Sequence, residues 1–548
     1  MPNIILNKKV FEKLVGKKLP LEKLKDRISM LGTDLDGING NEINVEVFPN
    51  RPDMLSEQGF ARAFSSFIGV KKGLREYKTL DSKEKVIIDG SVKKVRPFTA
   101  CAIVKGIHFT DDKIKEVINI QEKLHITYGR NRKKVAIGIY PGEKIKYPIR
   151  FIGMTPNEIK FEPLEGKKVM NGWQILREHP TGKEYGHLLE GKDVFPVFID
   201  ANNKILSMPP IINSEEVGRV DEKTKEIFIE CSGFDSETLS ICLNIIVTAL
   251  SDMGGKVYSM EIIDGKKKIK SPDLKPKEMN FNLSYANKLL GLNLKENEIK
   301  KLLERMGFDY KNKKVLIPCY RADILHEIDI VEDIAIAYGY ENFEPEIPNV
   351  STIGEESMLF KFEKKIRDLL IGHGLIEVNS YNVTNKDEQS KLMEEDIKLV
   401  ELENSKSADY NCLRAWMIPN SLKILKENRH YDYPQNIFEV GTVFKGDKGS
   451  ETNVEETDRV AVLLCHNKAD FTQARQILDS LLSLLNLDYK IEDVKHGSFI
   501  PGRVGRVLVE GKKIAYVGEL HPSVLDNFDI NMPVSGFELN LTELFGLL

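Results

Sequence analysis

Carboxylate side chains are concentrated in the stretch "RADILHEIDIVEDIAIAYGY", residues 321–340. At about 100° of rotation per helical residue, Asp329, Glu332 and Asp333 share one side of a predicted helix. Asp323 stands where an N-cap is expected, because Asp is favoured there. Clustered carboxylates suit a hard divalent cation such as Mg²⁺. The pattern leaves two interpretations open, a magnesium site or an exposed acidic face. The opposite side of the helix is predicted to be apolar: Ile324, Ile328, Val331, Ile334 and Ala335.

A second group of polar residues lies in "SMPPIINSEEVGRVDEKTKEIFIECSGFD", residues 207–235. Asn213, Ser214 and Glu215 follow a Pro-Pro turn, and Glu230 and Ser232 lie at the end of an apolar strand. Polar groups at the two ends of such a hairpin-like unit are typical of a pocket lining. The alternative is a plain loop followed by a half-buried strand.

The stretch "NCLRAWMIPNSLKILKENRHYDYPQNIFEVGTVF", residues 411–444, predicts helices and strands of an antiparallel sheet. Arg414 and Arg429 either face the phosphates of a nucleotide held by this sheet or are ordinary surface arginines. A P-loop, a G-x-G-x-x-G turn after a strand, H-E-x-x-H and G-x-S-x-G are all missing from the sequence. The common phosphate-loop, zinc-protease and serine-hydrolase chemistries therefore have no support.

The elements that carry these residues belong to a chain of 548 residues, too long for one hydrophobic core. The composition is 41% hydrophobic and 30% charged, with a formal net charge of −4. No stretch reaches the ~20 apolar residues of a membrane span, and the N-terminus lacks the pattern of a signal peptide. We therefore expect a cytoplasmic protein without a membrane segment. Six scattered cysteines without a C-x-x-C pair predict reduced, buried thiols.

Composition divides the chain into four expected domains. Residues 1–90 form an α/β domain, with a strand through Val45, a turn at "FPNRPD" and a helix from Leu55 to Ile68. Residues 91–265 are strand-rich, with "VAIGIY", "IRFIGM", "VFPVFID" and "EIFIECSG". Residues 271–346 form a small domain with a helix beginning after Asn282 or Ser284, and residues 350–548 form the largest. "DGKKKIKSPDLKPKE" and "EPEIPNVST" are predicted linkers.

Taken together, the sequence resembles the β subunits of phenylalanyl-tRNA synthetases of the shorter archaeal and eukaryotic type. The motifs that carry the resemblance occur in order along the chain: "FPNRPDMLSEQGFARAF", "MPPIINSEE", "EIFIECSGFD", "RADILHEIDIVEDIAIAYGY", "LRAWMIPNSLKILKENR" with "IFEVGTVF", and "GELHPSVLDNFDINMPVSGFELNL". They extend from residue 1 to about 545.

The resemblance implies an α+β multidomain fold whose C-terminal domain is a class II synthetase-like antiparallel sheet core without catalytic motifs. "GELHPSVLDNF" stands where the class has a Gly-rich segment with an ATP-binding Arg. The resemblance also implies a complex of two α and two β chains that binds tRNA(Phe). The α chain would use ATP to activate phenylalanine and attach it to the tRNA. Alternatives are a non-catalytic tRNA-binding or scaffold protein, and a stand-alone ligase.

The resemblance assigns sites as well. Residues 91–265 would be an editing domain that hydrolyses Tyr-tRNA(Phe), with Asn213, Ser214, Glu215, Glu230 and Ser232 as its residues. Editing has a physical reason, because an apolar pocket rejects an added hydroxyl only weakly and a second site can bind that hydroxyl. Residues 271–346 would be a B5-type domain with a magnesium site shared with the α subunit. Its ligands would be Asp323, Asp329, Glu332 and Asp333, while Glu327 falls on another face.

Overall fold

The structure is a computed structural model that describes residues 2–349 and 354–548. The chain divides into two compact units, residues 1–347 and 348–548, which are treated separately. The last three residues of the expected linker "EPEIPNVST", from Val350 to Thr352, lie outside the described residues. In the described residues no helix is both long enough and apolar enough to cross a lipid bilayer. All six cysteines are buried and unpaired, as expected.

The first unit begins with a small antiparallel sheet in the order β1-β3-β2, flanked by helices. Its elements are β1 (Asn3–Asn7), α1 (Lys8–Val15), α2 (Leu21–Met30), β2 (Asp34–Asn39), β3 (Glu42–Glu46) and α3 (Glu57–Phe67). The predicted strand and helix are both present, although α3 begins two residues late because the Ser56 hydroxyl caps it by accepting from Gly59 N at 3.0 Å. A Cβ at Gly59 would lie 1.9 Å from the Asp53 carbonyl oxygen, so the "FPNRPD" turn needs glycine there.

A large mixed sheet follows, in the order β12-β11-β10-β7-β4-β14-β5-β13-β6, with β15 paired to β14. Its strands and the short hairpin β8-β9 are β4 (Thr79–Ile88), β5 (Phe98–Lys105), β6 (Val135–Pro141), β7 (Ile149–Met154), β8 (Lys160–Phe161), β9 (Met170–Asn171), β10 (Phe195–Ile199), β11 (Ile205–Met208), β12 (Ile212–Asn213), β13 (Glu226–Gly233), β14 (Lys256–Asp264) and β15 (Lys267–Ser271). The helices of this segment are α4 (Asp111–Ile126), α5 (Gly172–Glu178), α6 (Pro180–Tyr185), α7 (Glu215–Gly218) and α8 (Ser236–Asp252). The four predicted strands correspond to β6, β7, β10 and β13.

Strand β13 lies inside the sheet, with β5 along one edge and β6 along the other, and its side chains from Ile227 onwards are buried on both faces. Ile227 and Ile229 join the core under α8, whereas Phe228 points into a separate core. Because side chains alternate along a strand, Glu230 points to the Phe228 side. The carboxyl group of Glu230 is thereby buried against one face of the sheet.

The remainder of the first unit is a three-stranded antiparallel sheet, in the order β16-β18-β17, covered by helices. Its elements are β16 (Lys277–Asn280), α9 (Leu283–Leu290), α10 (Glu296–Arg305), β17 (Asp309–Lys311), β18 (Lys314–Ile317) and α11 (Glu327–Tyr338). Helix α9 begins after Asn282, as expected. The linker predicted at "DGKKKIKSPDLKPKE" is wrong in part, because β15 and the start of β16 lie inside it. The side chains of β15 before Ser271 are exposed, so it has no apolar period.

The second unit is built on a sheet in the order β19-β23-β24-β28-β27-β26-β25, antiparallel except where β19 joins β23. Its strands, with those of a small sheet β20-β22-β21, are β19 (Ile376–Glu377), β20 (Val383–Thr384), β21 (Val400–Glu401), β22 (Cys412–Leu413), β23 (Gln435–Gly446), β24 (Val454–Cys465), β25 (Tyr489–Asp493), β26 (Phe499–Val509), β27 (Lys512–Leu520) and β28 (Val534–Asn540). Its helices are α12 (Met358–Gly372), α13 (Lys386–Gln389), α14 (Ile418–Glu427), α15 (Phe471–Leu484), α16 (Pro522–Asn527) and α17 (Leu541–Phe545). Apolar cores cover both faces of the large sheet.

The fold is therefore mixed α+β and multidomain, with an antiparallel sheet in the C-terminal unit as the sequence indicated. The division into four domains remains a prediction.

Candidate functional site

A cavity of about 440 Å³ opens in the first unit, bounded by α4, β6, the β11–β12 turn and β13. Much of its wall is apolar, with Val117, Ile137 and Ile211 among its residues. Polar side chains enter it from several elements: Gln121, Glu122, His125, Arg132, Ser207, Asn213 and Glu230. A mostly apolar pocket with a few convergent polar groups is the usual form of a small-ligand site.

Glu230 is the most perturbed group of this pocket. Its side chain is only 2% exposed, and burial raises its pKa to about 8, although Arg96 and Tyr140 act in the opposite direction. The carboxyl group is thus largely protonated at neutral pH and able to donate a hydrogen bond as well as accept one. Its Oε2 has no hydrogen-bond partner among the described residues.

A cluster of uncharged polar groups surrounds this carboxyl group. The Tyr140 hydroxyl oxygen lies 2.7 Å from Ser207 Oγ, 3.2 Å from Glu230 Oε1 and 3.4 Å from Asn213 Oδ1. A phenol carries one proton, so it donates to one of these acceptors at a time. A polar group of a ligand could therefore join the cluster without breaking a fixed network.

His125 and Glu122 on α4 form the second polar part of the lining. His125 Nε2 accepts from Ile137 N at 2.8 Å, which assigns the ring proton to Nδ1, 3.1 Å from Glu122 Oε1. Burial lowers the pKa of His125, so the imidazole is neutral. Arg132 Nη2 donates to Glu122 Oε1 at 3.2 Å, and its Nη1 donates to the Ile211 carbonyl oxygen at 2.9 Å.

The structure separates the five residues predicted for this site. Asn213 and Glu230 line the cavity, whereas Ser214, Glu215 and Ser232 are not among its lining residues. Ser214 is buried ahead of α7 and donates its N–H to the Leu206 carbonyl oxygen at 2.8 Å. Glu215 Oε2 accepts from Glu165 N at 2.8 Å, which ties it to a neighbouring loop.

Ser232 is outside the cavity wall, but it lies on the same face of β13 as Glu230 and acts to lower the pKa of that carboxyl group. Its hydroxyl also accepts from Arg96 Nε at 3.1 Å. The sequence interpretation also missed lining residues, above all Gln121 and His125. Their spacing of four on α4 puts two polar side chains on one helix face, the one sequence signal that pointed to them. Ser207 and Tyr140 had no such signal, because they come from separate strands.

The four carboxylates predicted to bind magnesium are also placed differently from one another. Asp323 receives two hydrogen bonds from Arg321, at 2.8 Å and 2.6 Å, and Asp333 receives one at 2.7 Å. Burial raises the pKa of Asp333 although Arg321 opposes it. Burial acts the same way on Asp323, but there Arg321 prevails and the pKa is lowered. A guanidinium group thus compensates two of the four charges.

The other two predicted ligands lie nearer the surface. Asp329 Oδ2 accepts from Leu325 N and His326 N, both at 2.7 Å, at the first turn of α11. Glu332 is exposed. Asp323 is not the N-cap that was predicted, because His326 caps the helix by accepting from Ile328 N at 3.2 Å.

The predicted helix faces are also wrong in two places, since Asp333 is buried and Ile328 is 42% exposed. Within residues 2–349 and 354–548, no three His, Cys, Asp or Glu side chains are grouped to hold a metal ion. These residues therefore do not fit a magnesium site held by this chain alone.

The arginines considered for phosphate binding in the second unit are both paired. Arg414 is buried, and its Nη1 donates to Glu439 Oε1 at 2.6 Å and to Ser380 Oγ at 2.9 Å. Its Nε donates to the Thr442 carbonyl oxygen at 2.8 Å. Arg429 is exposed and pairs with Asp529. Arg414 is thus occupied inside the protein, and the idea that it faces a phosphate is not supported.

Family profiles match three parts of the chain: the B3/4 domain over residues 108–242, the tRNA synthetase B5 domain over residues 279–340, and the phenylalanyl tRNA synthetase beta chain CLM domain over residues 344–541. The cavity lies mostly within the first match and the acidic helix within the second. With the α+β fold, these matches define the class as a tRNA synthetase subunit.

Whole-chain relatives identify the family. The phenylalanine–tRNA ligase β subunit of Pyrococcus abyssi is 42% identical over 100% of both chains. That of Thermococcus sibiricus is 41% identical over 99% of this chain and 98% of its own. The crystal structure of an N-terminal fragment of the Pyrococcus horikoshii phenylalanyl-tRNA synthetase β subunit is similar, with 39% identity, a TM-score of 0.59, and coverage of 62% of this chain and 99% of that one. The chain belongs to the family of phenylalanine–tRNA ligase β subunits, which confirms the resemblance.

Proposed function

We propose that this chain works with an α subunit in attaching phenylalanine to tRNA(Phe), and that its cavity hydrolyses Tyr-tRNA(Phe). Membership of the ligase family supports the first part. The second part rests mainly on one observation: a largely apolar cavity holds the buried carboxyl group of Glu230 beside Tyr140, Ser207 and Asn213.

The cavity offers a reason to prefer tyrosine over phenylalanine. A tyrosyl ring entering an apolar pocket brings one hydroxyl group, which the Glu230 cluster can pair by donating or accepting. A phenylalanyl ring in the same place would leave buried polar groups unpaired, and a site that hydrogen-bonds a hydroxyl discriminates strongly on that account.

His125 is neutral, but its Nε2 is occupied by Ile137 N, so we assign it to shaping the pocket and not to proton transfer. Of the five predicted residues, we retain Asn213 and Glu230 for contact with the substrate. We assign Ser214, Glu215 and Ser232 to holding the surrounding strands and loops in place.

The test uses the complex of this chain with its α subunit. Glu230→Met keeps a side chain of similar size but removes both hydrogen-bonding oxygens, and Asn213→Ala removes a second member of the cluster. We expect deacylation of Tyr-tRNA(Phe) to fall at least tenfold in each variant, while phenylalanine charging is unchanged. Glu216→Gln is the matched control, since Glu216 is exposed on α7 and pairs with Lys204. Wild-type deacylation in both cavity variants would overturn the editing proposal, and no deacylation in the wild type would favour a non-catalytic tRNA-binding role.

Aminoacylation we assign to the α chain, in a complex of two α and two β chains. The second unit would then be a class II-like core without catalytic function. Its antiparallel sheet supports this assignment, and so does the pairing of Arg414 Nη1 with Glu439, which ties this arginine to the protein interior.

Magnesium is proposed in a restricted form. Asp323, Asp329, Glu332 and Asp333 remain the predicted ligands, but only in a site completed by the α subunit and only if Arg321 releases two of them. Titration with Mg²⁺ should give no binding to the free chain and saturable binding to the complex. Glu332→Gln should weaken that binding, and the exposed Glu344→Gln should not. Equal binding by the complex and its Glu332→Gln variant would contradict the proposal.

A further inference from the structure

The segment that joins α4 to β6 has an unusual backbone. Arg130, Asn131 and Arg132 all have positive φ angles, of 48°, 51° and 63°. Left-handed backbone is unfavourable for an ordinary L-residue, so it persists only where other contacts impose it. Hydrogen bonds do so here: Asn131 N donates to the Ile126 carbonyl oxygen at 3.3 Å and Arg132 N to that of His125 at 3.1 Å.

Arg132 anchors this segment to the cavity. Beyond its bonds to Glu122 and to the Ile211 carbonyl oxygen, its guanidinium carbon lies 4.2 Å from the centre of the Tyr185 ring. Arg96 extends the anchor, because its Nη2 donates to the carbonyl oxygens of Ser232 at 2.6 Å and Arg132 at 3.4 Å. The segment is therefore fixed relative to the strand that carries Glu230.

Three residues next to Arg132 in the sequence carry positive charges and are exposed to solvent. Arg130, Lys133 and Lys134 are exposed, while Lys134 acts on Asp235, whose pKa is lowered mainly by its bonds to Thr238. Within the described part of the chain, Arg130 and Lys133 have no ion-pair partner. The nearby carboxylate of Glu122 is already shared between Arg132 and His125. Arg219, another lining residue, pairs with Glu215 at 3.4 Å.

We propose that Arg130 and Lys133 bind the backbone phosphates of a single-stranded RNA 3′ end whose last nucleotide enters the cavity. The inference rests on the proposed editing function and names the element that holds its substrate. Exposed cations on a rigid support next to a pocket of this size suit a single strand, because a duplex could not enter. Arg132, although basic, is a positioning residue: its own donors are used within the protein.

The experiment measures binding of a short fluorescent RNA with the 3′-terminal sequence of tRNA to the full complex over a range of salt concentrations. Arg130→Asn with Lys133→Ala removes both charges, and asparagine tolerates the left-handed backbone. We expect affinity to fall about tenfold, and the slope of log affinity against log salt to decrease by about 1.4, since each single-strand phosphate contact contributes about 0.7. The charge-conserving exchange Arg130→Lys with Lys133→Arg should retain the wild-type RNA affinity and the wild-type salt slope.

Two comparisons separate this inference from the function it rests on. Lys160→Ala with Lys192→Ala removes two exposed charges of the same segment and should leave the slope unchanged. Glu230→Met should keep the RNA affinity while losing hydrolysis of Tyr-tRNA(Phe), whereas the Arg130/Lys133 variant should raise KM for that hydrolysis with little change in kcat. An unaltered salt slope in the Arg130/Lys133 variant would overturn the inference, even if editing proved correct.

Discussion

The Tyr140 hydroxyl oxygen lies 3.2 Å from Glu230 Oε1, and the two residues belong to adjacent antiparallel strands, β6 and β13. Both side chains are buried. Burial raises the pKa of Glu230 to about 8 and that of Tyr140 above its ordinary value. The two groups therefore stay neutral together in the folded protein, which couples stability of the first unit to pH.

Glu230→Gln should make the first unit less sensitive to alkaline pH. A carboxyl group whose pKa is about 8 when folded and 4.5 ordinarily binds its proton more tightly in the folded state. Its stabilising contribution is full below pH 4.5, is lost as pH rises towards 8, and then levels off. The wild type should lose on the order of 3–5 kcal/mol against Glu230→Gln between pH 4.5 and 8.5.

The measurement is urea denaturation of the two proteins across that pH range, followed by Trp173 fluorescence in a Trp416→Phe background, because Trp173 is the tryptophan of the first unit. Glu158→Gln, at an exposed position of the same segment, is the control and should track the wild type. If the free energy of unfolding changed with pH in the same way for the wild type and Glu230→Gln, Glu230 would ionise normally in the folded protein.

Arg321→Met should destabilise the first unit by about 3–5 kcal/mol, because removing one partner of a buried ionic group leaves the others uncompensated. Here Asp323 and Asp333 would both lose their guanidinium partner. The same fluorescence assay measures the change. Adding Asp323→Asn and Asp333→Asn to Arg321→Met should recover part of the loss, and Lys301→Met, on the exposed surface of α10, should cost less than 1 kcal/mol. A neutral Arg321→Met would mean that the two aspartates are protonated already.

The sequence was a good guide to local structure and a poor one to polar partners. Apolar alternation located β6, β7, β10 and β13, and Asn282 marked the start of α9, because these signals depend on neighbours within a few residues. Helical periodicity also grouped Asp329, Glu332 and Asp333, yet Asp333 is buried. Periodicity gives the direction of a side chain, but it does not show that Arg321 lies beside Asp333 and compensates the charge of its carboxylate.

The cavity shows the same limit. Two of its polar residues, Asn213 and Glu230, came from one hairpin-like stretch and were predicted together. Others come from elements far apart from that stretch in sequence, such as Gln121 on α4 and Arg132 ahead of β6, and only tertiary packing brings them together. Family resemblance extended the range of the sequence interpretation, but it could not distinguish Glu230, which lines the cavity, from Glu215, which ties down a loop.

Gly441→Ala should destabilise the second unit, because a Cβ at this position of β23 would lie 2.3 Å from Arg414 Nη2. The guanidinium group cannot easily move aside, since it is held by Glu439, Ser380 and the Thr442 carbonyl oxygen. We expect a loss of about 1–3 kcal/mol, the usual cost of overpacking. Trp416 fluorescence in a Trp173→Phe background reports unfolding of this unit.

Gly446→Ala is the matched control, on the same strand with nothing within 4 Å of the added Cβ, and it should change stability by less than 0.5 kcal/mol, as exposed substitutions usually do. If Arg414 were free to bind phosphate, Gly441→Ala would displace it at little cost, and the two alanine variants would unfold alike. A clear difference between them would instead show that Arg414 is a fixed part of the core, and ATP should then leave the unfolding transition of this unit where it is.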